Sequence, residues 1–316
     1  MWGKKKSGAA QQFLHFGFGL GSLICPQIAK PFLGPDLEDD DTITTTVSSV
    51  GASAAPLVDE SRIEYAYAIV AILVGIFGLI MLGFFFAKKP RLLKQIYRPV
   101  QSLRKDMINP ASCAKGYLFT GLTFLIFLFI YYFQISGGSR LIATFLFSFT
   151  VEGDLKMRKS EAANLNTAYW IGFTSGRGLG GIVAAFVPVV AMTAADVIGV
   201  LVTMTCIFIF GNTYVTAMWV LVPILGLFMG PLFPQGLTWS NYYLDMNPLG
   251  VMILLIGSNL GGFAYQFAMA GIFDSDPFNL LRGFLFFACV LSGLYIILQI
   301  LGCTIGKKLK KDEEKQ

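Results

Sequence analysis

The chain has 316 residues, 55% of them hydrophobic and only 14% charged. Soluble domains carry about 25% charged residues, so this composition excludes an ordinary soluble globular protein. Apolar runs of about 20 residues, enough to cross the hydrocarbon core, recur along the whole length, and the chain reads as an all-α polytopic membrane protein. The formal net charge of +5 points to no nucleic-acid partner, because the basic residues fall in loops and tails where membrane orientation accounts for them. Cys25, Cys113, Cys206, Cys289 and Cys303 are scattered without paired spacing and predict neither a disulfide framework nor a metal site.

In chain order, Met1–Gln12 carries Lys4, Lys5 and Lys6 and reads as a cytosolic lead-in. The first span is about Phe13–Leu33; Gly17, Gly19, Gly21 and Pro26 punctuate it and no small-x-small cleavage site follows, which argues against a signal peptide. Gly34–Arg62 holds Asp36, Glu38, Asp39, Asp40, Asp41, Asp59 and Glu60 against the single base Arg62, as expected of a non-cytosolic loop. The second span, about Ile63–Ala87, returns the chain to the basic segment Lys88–Lys115. Lys and Arg concentrate on the cytoplasmic side, so this segment fixes the orientation. Its Leu92, Leu93, Ile96, Val100 and Leu103 fall on one helical face and predict a helix on the inner membrane surface; Pro99 leaves a solvated linker as the alternative.

Six more spans follow, roughly Gly116–Phe149, Leu165–Val190, Ala194–Phe210, Tyr214–Trp239, Pro248–Phe273 and Leu280–Cys303. The first is long for one straight crossing, and Ser136-Gly137-Gly138-Ser139 predicts a bend in it. Alternation places Val151–Asn164 outside, the basic tail Gly306–Gln316 inside, and both chain ends in the cytosol.

Four of these spans carry Gly or Pro near their middles: Gly137-Gly138, Gly172 to Gly181, Pro223 to Gly236, and Gly257 to Gly262. Read together they predict broken helices lining a path; small residues permitting close helix packing are the alternative for each. Arg177 lies about 12 residues into its span, roughly 18 Å from either face. A charge at that depth is a functional candidate with a partner to be named, either a gating charge or a brace between helices. No carboxylate of the six-helix block lies at comparable depth, so an ionic partner would come from Asp196 at a stretch or from elsewhere. Gln134, Ser136, Ser139, Asn166, Tyr169, Trp170, Trp239, Asn241, Ser258, Asn259 and Gln266 supply amides, hydroxyls and aromatic faces without charge, the mixture a neutral polyhydroxylated ligand needs; His15 and Gln27 would join them. The single histidine rules out His-Glu-x-x-His metal chemistry, and no Gly-x-Ser-x-Gly elbow or phosphate loop appears, so no enzyme activity is expected.

The stretches Trp2-Gly3-Lys4-Lys5-Lys6-Ser7-Gly8, Leu14-His15-Phe16-Gly17-Phe18-Gly19-Leu20-Gly21 and Ile28-Ala29-Lys30-Pro31-Phe32-Leu33 resemble the fifth-helix region of sodium-dependent glucose transporter-like proteins, family 4 of the major facilitator superfamily. The resemblance continues through Asn166-Thr167-Ala168-Tyr169-Trp170-Ile171-Gly172-Phe173, Gly176-Arg177-Gly178-Leu179 and Gly230-Pro231-Leu232-Phe233-Pro234. It implies a major-facilitator-type bundle in which the eight spans are helices 5–12 of twelve, with the first four outside this N-terminally truncated chain. Residues 1–87 are then a two-helix remnant of the first bundle, 88–115 a linker, 116–305 a six-helix bundle and 306–316 a tail. It also implies alternating-access transport of a neutral solute, a hexose such as glucose, at the plasma membrane, with the bilayer as partner and sodium as coupling ion; no other cofactor is expected. Gln134, Tyr169, Trp170, Asn259 and Gln266 are the expected substrate-binding residues, with Arg177 a structural or gating charge. The alternative is a short isoform that associates with a partner and transports nothing.

Overall fold

Three lysines do not keep the start of the chain out of helix: α1 runs Gly3–Ala29 and takes the basic lead-in into its first turns. The computed structural model describes residues 3–29, 63–86, 113–114, 117–244 and 246–313. The acidic loop and the predicted surface helix of the basic segment lie outside the described residues. The remaining helices are α2 (Ile63–Phe86), α3 (Leu118–Glu152), α4 (Lys159–Val183), α5 (Val189–Phe210), α6 (Val215–Tyr243), α7 (Pro248–Phe273) and α8 (Asn279–Glu313). The last continues through the basic tail. Among the described residues, eight helices and no strand give the all-α membrane architecture expected from the apolar runs.

Six of the eight are long and apolar enough to cross a membrane. The two that fall short are α1 and α4, and the reason is visible in their residues: Gln11, Gln12 and His15 in one, Glu161, Asn164, Asn166 and Arg177 in the other.

The chain divides into two compact units, one of residues 1–20 with 98–316 and one of residues 21–97. In the first, α3 packs on α7 and α8, α4 on α6, and α5 on α6 and α8. Phe124, Leu128, Tyr132, Leu146, Tyr169, Val200, Leu225 and Phe287 are among the side chains that fill its core. In the second, α2 is apolar around its whole circumference, with Ile72, Val74, Phe77 and Leu79 exposed; a helix without a polar face is suited to hydrocarbon rather than water.

The glycine-rich stretches do not break their helices. Each of α3, α4, α6 and α7 is continuous through its glycines, which correct the expectation of four interrupted spans. The glycines bring backbones together instead. A methyl on Gly172 or Gly176 would collide with the Pro223 or Leu227 carbonyl of α6, and one on Gly226 or Gly230 with the Tyr169 or Phe173 carbonyl of α4. The α4–α6 seam is thus built from two small-xxx-small pairs facing each other. Gly257 and Gly261 of α7 meet the Phe129 and Phe133 carbonyls of α3 in the same way. Lipid tails are as apolar as leucine, so close backbone approach is what holds such helices together.

Helix ends follow local chemistry. Pro188 stands in extended geometry (φ −65°, ψ 142°) just before α5, and the residue before a proline is disfavoured in helix. Neither Val187 nor Pro188 can therefore carry α4 on to the Val190 expected from hydropathy, and the helix ends at Val183. At α7, Asn247 accepts a hydrogen bond from the Gly250 amide at 2.8 Å and Pro248 takes the first helical position, a side-chain cap followed by a residue with no amide to leave orphaned.

Candidate functional site

The close α3–α7 seam aligns two rows of side chains. Ser136, Arg140 and Thr144 recur every four residues on α3; Ser258, Gly262 and Gln266 do the same on α7. Residues four apart share a helical face, and the two helices match step for step. The Ser136 and Ser258 hydroxyls hydrogen-bond at 2.6 Å. The Arg140 side chain lies over Gly262, where any side chain would collide with it. Gln266 donates through Nε2 to Thr144 Oγ1. Arg140, Thr144 and the adjacent Asn259 are exposed, so the ladder forms a polar strip along an otherwise apolar bundle.

Arg140 sits 12 residues before the end of α3 at Glu152, about 18 Å by helical rise. Among the described residues its guanidinium makes no hydrogen bond or ion pair. It was not among the residues expected from sequence, although the depth argument applied to Arg177 applies to it equally, and the Ser136–Arg140–Thr144 spacing marks its face.

The expected binding residues are distributed unevenly about this strip. Gln266 is in it. Asn259 borders it, its amide nitrogen bonded to the Leu255 carbonyl of its own helix at 2.9 Å. Gln134 is behind it and 3% exposed, donating to the Phe287 carbonyl at 3.2 Å and accepting from the Tyr265 hydroxyl at 2.7 Å. Both ends of that amide are engaged, so Gln134 joins α3, α7 and α8. Tyr169 is fully buried, and Trp170 half-buried, on α4. They form an aromatic cluster with Phe173, with ring centroids 5.4 Å (Tyr169–Trp170) and 5.3 Å (Trp170–Phe173) apart.

Arg177 has partners that charge pairing alone does not suggest. Its Nε donates to the Gly230 carbonyl and its Nη1 to the His15 carbonyl, each at 2.9 Å. Its guanidinium lies 4.3 Å from the Phe173 ring centroid and 5.2 Å from that of Phe18. The Gly230 carbonyl would ordinarily accept from the residue four places on, but that residue is Pro234, which has no N–H. Arg177 supplies the missing donor. Asp196 is engaged elsewhere, accepting from Gln235 Nε2 at 2.6 Å, so it is not the partner of Arg177. The early end of α4 also corrects the depth: Arg177 is six residues before Val183, about 9 Å from the helix end. It clamps α1, α4 and α6 together.

No family model matches the chain. It is 27% identical to mouse sodium-dependent glucose transporter 1A over 328 residues, covering 100% of this chain and 72% of that protein. It is 26% identical to human sodium-dependent glucose transporter 1, covering 86% of this chain but 51% of the human protein, so the chain spans about half the length of that relative. Among solved structures, an outward-conformation crystal structure of the major facilitator superfamily transporter FucP superposes with a TM-score of 0.66 at 16% identity. That match covers 95% of this chain and 68% of FucP, and establishes the fold.

Proposed function

We propose that this chain, a relative of the sodium-dependent glucose transporter 1 proteins with the major facilitator fold, carries a neutral sugar across a membrane along the α3–α7 ladder. The observation that supports this reading most is the ladder itself, a strip of amide, hydroxyl and guanidinium groups running along membrane-spanning helices. A sugar leaving water needs replacement hydrogen bonds, since an uncompensated hydroxyl costs about 1–3 kcal/mol. Gln266 and Asn259 offer amide oxygens, Arg140 offers donors to hydroxyl lone pairs, and Trp170 offers an aromatic face. Among the described residues the strip contains no carboxylate, which suits a solute without positive charge.

In this reading a hexose is the substrate class, taken from the relatives' names together with a strip that offers hydrogen-bonding groups and no carboxylate, and helices α3–α8 form one side of an alternating-access path. Sodium coupling rests on those names, and no residue here is assigned to it. Gln134, Tyr169 and Arg177 hold the bundle that presents the strip, while Gln266, Asn259, Arg140 and Trp170 meet the solute.

Uptake of labelled hexose by the purified chain in proteoliposomes tests the proposal. Wild type is expected to accumulate hexose, and Gln266→Ala and Asn259→Ala to slow uptake about fivefold each, as loss of about 1 kcal/mol of hydrogen bonding implies, with the amount of folded protein unchanged. Uptake at the wild-type rate in both variants would remove the ladder from the path; absence of hexose uptake by wild type would refute the function.

A further inference from the structure

At one end of the bundle, away from the ladder, the first turns of α1, the turn 184–188 joining α4 to α5, and the last turns of α6 surround an open pocket of about 520 Å³. Every residue lining it is uncharged. Two of them, Gln12 and Gln235, are 1% and 2% exposed. Each spends its amide nitrogen on a protein acceptor: Gln12 on the Pro231 carbonyl at 3.3 Å, Gln235 on the Asp196 carboxylate. Each leaves its amide oxygen buried without a donor. Buried acceptors are rarely left unpaired and cost about 1–3 kcal/mol when they are. The terminal amide torsion is soft, so a hydroxyl placed in the pocket can draw either oxygen round, in exchange for the bond that its amide nitrogen now makes. Phe186, 83% exposed, also lines the pocket, and Thr238 and Asn241 add polar groups to the wall.

We propose that this pocket is a second binding site, for a pyranose ring. The two amide oxygens, buried behind its wall, turn to take ring hydroxyls, the Phe186 ring covers the apolar face of the sugar, and the lack of charge disfavours ionic ligands. The assignment deepens the sugar reading above and rests on it for the ligand class. On the alternation read from the sequence, the pocket opens at the cytosolic end, where a solute leaving the ladder would pause. A free hexose and the headgroup of a glycolipid share this chemistry.

The experiment uses the full chain purified in detergent and carrying Asn241→Cys. Alkylation of the introduced thiol is followed by peptide mass spectrometry, with exposed Cys289 as internal reference. One arm adds glucose; the other adds a glucosyl lipid in mixed micelles. At four times its dissociation constant the ligand is expected to slow alkylation at position 241 about fivefold without affecting Cys289. Protection by glucose identifies the free sugar as ligand, and protection by the lipid alone identifies the headgroup. Gln235→Leu is expected to abolish protection. Phe186→Ala, which removes an exposed ring and leaves the core intact, is expected to weaken it. No slowing in either arm, or equal slowing in both variants, would overturn the site. Protection needs no transport: protection without uptake contradicts only the transport reading, and uptake without protection contradicts only this pocket.

Discussion

Replacing Gly261 with alanine is expected to prevent α3 and α7 from closing and to destroy most of the folded bundle. The added methyl would fall inside the van der Waals envelope of the Phe133 carbonyl, with the carbonyl carbon and Cα of the same residue also in reach. Backbone atoms cannot rotate out of the way as a side-chain tip can, so the two helices must separate. Overpacking a well-filled interior costs about 1–3 kcal/mol and occasionally more, and a helix-to-helix backbone clash belongs at or above the top of that range. Separation also draws Ser136 from Ser258 and Thr144 from Gln266, so the ladder is lost with the seam. The matched control is Gly271→Ala on the same helix, where nothing lies within 4 Å. There the better helix propensity of alanine is expected to leave stability unchanged or raise it by up to about 1 kcal/mol. The fraction of monodisperse protein surviving a heating series in detergent separates the two; equal survival would contradict the seam.

Arg177→Met is expected to destabilise the junction of α1, α4 and α6 by about 2 kcal/mol. Methionine keeps much of the volume but returns the Gly230 carbonyl to the unpaired state that Pro234 imposes, and an unsatisfied buried acceptor costs about 1–3 kcal/mol. Losing the two aromatic contacts adds about 0.5–2 kcal/mol, and relief from burying a charge offsets part of the sum. The mechanism makes a sharper prediction than the size of the loss. Pro234→Ala restores an amide four residues after Gly230, so in the Arg177→Met background it should recover about 1 kcal/mol that it does not supply in wild type. A double-mutant cycle on thermal unfolding measures that coupling. Strict additivity would show that Arg177 does not stand in for the missing amide.

The two arginines show where the sequence was legible and where it was not. Apolar runs long enough to span a bilayer marked the helices but not all of their ends: α1 starts at Gly3 rather than Phe13 and α8 runs to Glu313 rather than Cys303, because hydropathy marks the apolar core of a span and not the polar turns that continue it, while α4 stops at Val183, short of Pro188. Arg177 stood out by depth alone. Its partner did not, because a charge at depth points first to a carboxylate, whereas the unmet need lies in α6, at a carbonyl stripped of its donor by Pro234. That signal was present in the sequence at the spacing of Gly230 and Pro234. The glycines were visible too, but glycine marks both a broken helix and a close crossing, and only the facing pairs Gly172–Gly176 and Gly226–Gly230 distinguish them. The ladder could not be assembled beforehand, since Ser136 meets Ser258 and Thr144 meets Gln266 across 122 residues and nothing local sets that register.

Whether the α3–α7 strip faces water within the membrane is tested most directly by thiol chemistry at its two extremes of environment. A thiol introduced by Thr144→Cys on the ladder is compared with one introduced by Ile198→Cys, on the exposed apolar stripe of α5 that includes Val202 and Ile209. In proteoliposomes, a charged, membrane-impermeant thiol reagent should react readily at position 144, more slowly when hexose is present, and hardly at all at position 198. Equal inertness at both positions, or reaction at 144 that hexose leaves unchanged, would contradict a sugar path along the ladder.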